Sequence, residues 1–202
     1  MATRLRLAKA WQQGLDLLRK TTGNNKPIAQ HVVSHHHTDH MSGLRGIVKQ
    51  GINLIIHPAD ITAVNDYLKQ PLAESRFLPI DKTSYLADGK VMLFDVPNGH
   101  ASHNLVVYLP EHKLLITEDM FGSSYKTALE SPVSWPNVDV YYRLEVLSGA
   151  INQLNLDVEK YLSTHHGRIL NQAEINKALT LSRPSRDELI QRLFFDNIKL
   201  NE

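Results

Sequence analysis

VVSHHHTDHMSG, residues 32–43, places four histidines and one aspartate in six consecutive positions. Tracts this dense are common in tags and disordered tails, but this one lies inside the chain. The apolar run Ile28–Val33 precedes it and reads as a buried strand. Met41–Lys49 follows with a short helical pattern that closes at Gly51, the residue type that most readily ends a helix. A loop leaving a strand is where a rigid scaffold presents chemistry-bearing side chains. The spacing H-x-H-x-D-H lets residues two apart converge while their neighbours turn elsewhere. His35 and His37 can therefore face one metal, and Asp39 and His40 a second. His36 sits between them and reads as a bystander.

Outward from this loop, the first half of the chain alternates element types. Residues 4–20 read as an amphipathic helix with Leu7, Trp11, Leu15 and Leu18 on one stripe. After the loop, INLIIH is a second strand-like run, and Ala59–Lys69 is again helical. Strand, loop, helix, strand, helix implies a parallel sheet covered by helices. The middle is β-rich: GKVMLFDVP is a strand, and NLVVYLPEHKLLITEDM a hairpin turning at PEH. Residues 122–140 read as a long irregular loop, of the kind that contacts substrates. Helix resumes over Val140–Leu154, strand over Glu159–Thr164, and helix again from Asn171, with a capping box at Ser185–Glu188. No linker or repeat interrupts the pattern, so residues 1–202 read as one α/β domain.

Composition bounds the function. Of 202 residues, 42% are hydrophobic and 21% charged, with a net charge of +1, as in an ordinary globular protein with a full core. No basic run offers a footprint for nucleic acid or an anionic membrane, and no apolar stretch is long enough to span a bilayer. Residues 1–20 lack the continuous apolar core of a signal peptide, so no compartment is assigned. There is no cysteine, so any metal must be held by imidazole and carboxylate.

Such ligands recur at three further strand ends. PNGHASHN supplies His100 and His103, LLITEDMF supplies Glu118 and Asp119, and YLSTHHGR supplies His165 and His166. A shared position at the exit from a strand is what a composite metal site requires. His31, His57 and His112 stand alone and read as ordinary surface or core histidines, and Tyr141 and Tyr142 as core packing more readily than as pocket walls. Arg168 reads as a surface arginine before it reads as an anion clamp.

Taken in order, SHHHTDH, NGHASHNLVVYLPEHKLLITEDMF and STHHG resemble the metallo-β-lactamase superfamily of metallohydrolases over nearly the whole chain. The resemblance implies an αββα sandwich with a dinuclear site at one edge. It implies that His35, His37 and His100 bind a first divalent metal, that Asp39, His40 and His166 bind a second, and that Asp119 bridges them. His166 is preferred to His165 because the family's last ligand directly precedes glycine. Zinc is the leading metal, with iron or manganese as alternatives. Two such ions lower the pKa of a shared water from about 15.7 toward 7, and Asp39, besides its ligand role, would orient that nucleophile.

The resemblance also narrows the substrate. Superfamily members that cleave β-lactams tend to lack the bridging carboxylate that Asp119 supplies. The expected substrate is therefore a small-molecule ester, thioester or lactone. The alternatives are a β-lactam hydrolase of the same superfamily and a non-catalytic metal-binding remnant. This chain departs from the family pattern at His103, where glycine is common, and at Asn104 and Glu118, the latter in place of a glycine. Asn104 and Glu118 are also candidate outer partners for the ligand histidines, although Glu118 reads at least as readily as a solvated charge. The resemblance implies two or three strands before the first helix that this sequence does not show. Either they lie upstream of Met1 or the protein works without them, and in the second case the open sheet edge is expected to be covered by a second copy.

Overall fold

A computed structural model describes residues 2–121, 137–165, 168–182 and 184–191. Helix α1 (Ala2–Thr22) leads into strand β1 (Gln30–Val33), then α2 (Thr38–Met41), α3 (Leu44–Lys49) and β2 (Asn53–Ile56). A 3-10 turn, Pro58–Asp60, precedes α4 (Ile61–Leu68), which is followed by β3 (Phe77–Pro79), β4 (Thr83–Leu86), β5 (Val91–Asp95), β6 (Leu105–Leu109) and β7 (Leu114–Glu118). Helix α5 (Asn137–Gln153), β8 (Lys160–Ser163), β9 (Ile169–Asn171), α6 (Gln172–Leu179) and α7 (Arg186–Ile190) complete the described elements. The chain is thus mixed α/β, with a three-stranded sheet ordered β1-β2-β3 and a second sheet ordered β4-β5-β6-β7-β8-β9.

By its internal contacts the chain forms two compact units, one of residues 1–84, 93–97 and 103–105, the other of residues 85–92, 98–102 and 106–202. In the first, β1, β2 and β3 run parallel, with Val33 opposite Ile56 and Ile56 opposite Pro79. Parallel neighbours need a crossover, and α2 and α3 supply it between β1 and β2. The apolar faces of these elements close one core, in which Val33, Leu44, Ile47, Leu54, Ile56 and Val64 are buried and Trp11 and Ile28 pack at its margin. On α1 the predicted stripe is only partly used: Leu15 is buried, whereas Leu18 is 51% exposed. For Leu7 the backbone alone is described.

In the second unit, β6 and β7 form the expected hairpin, with Val107 opposite Ile116. Its turn is a 3-10 segment, Pro110–His112, closed by Lys113 at φ 48°. Strand β8 lies parallel to β7, and β9 antiparallel to β8. The Lys113 carbonyl accepts from the N–H groups of Glu159 and Lys160, which ties the hairpin turn to the start of β8. Leu144, Leu147 and Ile151 of α5, Tyr161 of β8 and Ile175 of α6 line a common cavity of about 150 Å³. Both α6 and α7 start at capping boxes, Asn171 with Glu174 and Ser185 with Glu188.

Several expectations shift. The single helix read over Met41–Lys49 is two short helices joined at Ser42–Gly43, the first beginning inside the histidine loop at Thr38. Helix α5 begins at Asn137, three residues before its apolar pattern starts. The rest of the predicted long loop, residues 122–136, lies outside the described residues. Strands β3, β4 and β9 were not expected. No described helix is long and apolar enough to cross a membrane.

Candidate metal centre

In the first unit, the parallel sheet decides where the histidine loop goes. Loops at the carboxyl ends of parallel strands share one edge, where such sheets bind their ligands. Val33 and Ser34 are buried, so the chain leaves the sheet with His35 still in the interior, fully enclosed. His35 Nε2 lies 3.1 Å from His37 Nδ1, and the two rings meet edge-on at 75°. His40 turns back on the first turn of α2, its ring centroid 4.1 Å from that of His35. Asp39, with its side chain 58% exposed, brings one carboxylate oxygen to 3.6 Å from His40 Nε2. The loop therefore pairs His35 with His37 and Asp39 with His40.

Ser34 organises both pairs. Its hydroxyl lies 3.2 Å from His35 Nδ1 and 3.2 Å from His40 Nδ1. A hydroxyl both donates and accepts, so one oxygen can serve two rings and leave each Nε2 for another partner. Fixing the second ring nitrogen is how outer groups orient metal-binding histidines.

In the second unit, Asp119 follows β7 and is buried. Its Oδ2 lies 2.9 Å from His100 Nε2 and its Oδ1 lies 3.0 Å from His165 Nε2. His100 is held by an Asx turn in which Asn98 Oδ1 accepts from the N–H groups of His100 and Ala101 at 2.8 and 3.3 Å. The Asn98 amide reaches the Met120 sulfur at 3.2 Å, beside Asp119. Arg143 of α5 donates to the Asp119 carbonyl and sets its Nε 2.8 Å from Asp139. Burial pulls the Arg143 guanidinium below its ordinary pKa, and Asp139 opposes that shift. Ser163 Oγ donates to the Glu118 carbonyl at 3.1 Å, joining the ends of β7 and β8.

These donor sets fit divalent ions. Two nitrogens about 2.05 Å from a tetrahedral zinc lie about 3.3 Å apart, close to the spacing of the His35–His37 and Asp119 contacts. Rings crossed at 75° can also both hold one ion in plane. A third cluster, His57, Asp95 and His103, lies within the first unit and fails this test. Its imidazoles stack at 3.4 Å with planes only 10° apart, so no ion can lie in both planes. It is instead a hydrogen-bonded group: Asp95 takes His103 Nδ1 at 2.9 Å on one oxygen and the Asn104 N–H at 2.7 Å on the other.

Of the expected ligands, His35, His37, Asp39 and His40 gather in the first unit, and His100 and Asp119 in the second. His166 lies outside the described residues; its neighbour His165 stands on Asp119. Asn104 is no partner for a ligand histidine, because its buried amide makes no hydrogen bond among the described residues. His57, read as solitary, stacks on His103, and His36, read as a bystander, is 2.9 Å from the buried Asp60. Arg168 pairs with Glu174, whose carboxyl that guanidinium and the Asn171 N–H hold below the usual range. Tyr141 is buried, as expected of core packing, and the Tyr142 hydroxyl donates to the Pro184 carbonyl at 2.6 Å. Ser34, Asp60, Asp95 and Arg143 carry no pattern that a linear reading detects.

The family model for the metallo-beta-lactamase superfamily matches residues 3–165. Among solved structures, the DIM-1 metallo-beta-lactamase is similar at 18% identity and a TM-score of 0.62, over 86% of this chain and 76% of that one. FIM-1 from Pseudomonas aeruginosa, solved in a mono-zinc form, is similar at 18% identity and a TM-score of 0.59, over 84% of this chain and 73% of that one. A metallo-beta-lactamase from Hirschia baltica gives 15% identity and a TM-score of 0.57, over 83% and 73%. No curated protein sequence matches the chain.

Proposed function

The chain belongs to the metallo-beta-lactamase superfamily and is a metal-dependent hydrolase, and from that premise we propose a dinuclear enzyme acting on a small ester, thioester or lactone. His35, His37 and His100 would hold one divalent metal, zinc foremost. Asp39 and His40 would hold the second, with one of the His165–His166 pair, and Asp119 would bridge. The superfamily's histidine-before-glycine pattern favours His166, and the contact with Asp119 favours His165.

The observation that carries the reading is Asp119 itself. A buried carboxylate with a different imidazole on each oxygen, at 2.9 and 3.0 Å, has the arrangement suited to a bridging ligand. Bound divalent metals supply Lewis acidity, which polarises a substrate carbonyl and makes water a nucleophile near neutral pH. The protein supplies orientation. Ser34 sets the rings of His35 and His40, Arg143 fixes the main chain at Asp119, and the exposed Asp39 carboxylate would orient the attacking water. The similar solved structures are metallo-beta-lactamases, but at identities of 15–18% they speak for the fold and leave the substrate to Asp119.

The test is a panel of chromogenic esters, thioesters, lactones and a β-lactam, run alongside metal analysis. The expected result is two metals per chain and turnover of an ester-type substrate, lost on chelation and in Asp39→Ala. Asp119→Ala should lose about a hundredfold or more in kcat/KM together with one metal equivalent. Faster turnover of the β-lactam would overturn the substrate assignment. Full metal loading with no turnover across the panel would favour the non-catalytic alternative. Alanine at His165 and at His166, compared for loss of the second metal, identifies the last ligand.

A further inference from the structure

We infer that Asp60 is a positioning residue for metal capture, acting through His36, an inference that rests on the ligand roles proposed for His35 and His37. The stretch from Ser34 to His37 carries two separate contacts. His35 and His37 converge with their nitrogens 3.1 Å apart. Between them in the chain, His36 Nδ1 meets Asp60 Oδ1 at 2.9 Å. Asp60 arrives from the 3-10 turn after β2, and β2 runs parallel to β1 with Val33 opposite Ile56. The sheet register therefore brings the end of the HPAD turn beside the middle of the histidine loop.

The energetics point the same way. The Asp60 side chain is 5% exposed, and its second oxygen has no hydrogen-bond partner among the described residues. A carboxylate buried with half its acceptors unmet costs folding free energy, so it is a poor device for stability alone. What it does is hold the loop by its central residue. With His36 anchored, His35 and His37 stay turned to the same side before any ion arrives. The ordering entropy of the loop is then part of folding and no longer a charge against metal affinity.

Zinc affinity of the full chain, measured by chelator competition, tests this. Asp60→Ala and His36→Ala should each weaken zinc binding by about tenfold, within the range for lost outer partners of a metal site. The double variant should bind no more weakly than either single one, because both remove the same anchor. Asp60→Asn should stay close to the wild type, since its amide oxygen still accepts from His36. Melting curves without metal show whether each variant folds, and His36→Phe carries the test if Asp60→Ala does not. Wild-type affinity in the alanine variants, or additive losses in the double variant, overturns the inference and leaves the proposed metal site standing. A wild-type chain that binds no zinc overturns both.

Discussion

Tyr161 is fully buried on β8, and its hydroxyl donates to the Gln172 side chain at the start of α6. Burial pushes its phenol from 10.0 up to about 12. The folded chain therefore keeps this proton to a higher pH than the unfolded chain does. The associated stability is fully present below pH 10 and is lost as pH rises through about 12. Denaturant midpoints of the wild type should fall across pH 9.5–11.5 more steeply than those of Tyr161→Phe. Equal slopes would remove Tyr161 as the cause. At this same scale the proposed metal ligands stand out because imidazoles packed at H-x-H-x-D-H spacing are rare in ordinary sequence. The residues that serve them do not. Ser34, Asp60 and Arg143 are single residues of common types, and each gains its partner only when strands pair or a helix docks.

Strand β7 ends on a residue in the left-handed region. The register between β7 and β8 shifts between Ile116 and Glu118, and Glu118 sits at φ 50°. The left-handed region costs an L-residue about 1–2 kcal/mol, while glycine enters it freely. The glycine usual before the superfamily's aspartate thus has a backbone reason, and this chain carries a glutamate in its place. Glu118→Gly should raise the unfolding free energy of the metal-free chain by about 0.5–1 kcal/mol, after the extra chain entropy of glycine is deducted. A drop in the chemical-denaturation midpoint would show that the Glu118 side chain contributes more than its backbone costs. Long apolar runs bounded by turn formers, such as β2, β6 and β7, were legible as elements. The missed strands were short or weakly patterned: β3 and β9 have three residues each, and β4 alternates only between half-buried and exposed positions. Their pairing is decided by neighbours far away in the chain, which a local pattern does not encode.

At the scale of the whole molecule, the sheet order β1-β2-β3 gives β1 one strand neighbour among the described residues. A bare strand edge exposes unmet N–H and C=O groups, and folds cover such edges or pair them. Helix α1 lies against β1 through Trp11, whose ring meets His31 edge-on at 6.1 Å. Further along α1, Leu17 and Leu18 are 64% and 51% exposed, although Leu18 continues the stripe that buries Leu15. An uncovered apolar pair on the helix that flanks an open edge is what an isologous contact between two copies would use. The expectation is a dimer closing over β1 and this end of α1. Light scattering at micromolar concentration should then give twice the chain mass of 22.9 kDa, and Leu17→Glu with Leu18→Glu should return the single mass without loss of helix by circular dichroism. Because the proposed metal ligands of the first unit follow the carboxyl end of β1, while the proposed contact involves the open edge of β1 and the Leu17–Leu18 end of α1, the double variant should keep its zinc affinity. A wild type already at 22.9 kDa across that concentration range would leave the edge to be covered by something other than a second copy.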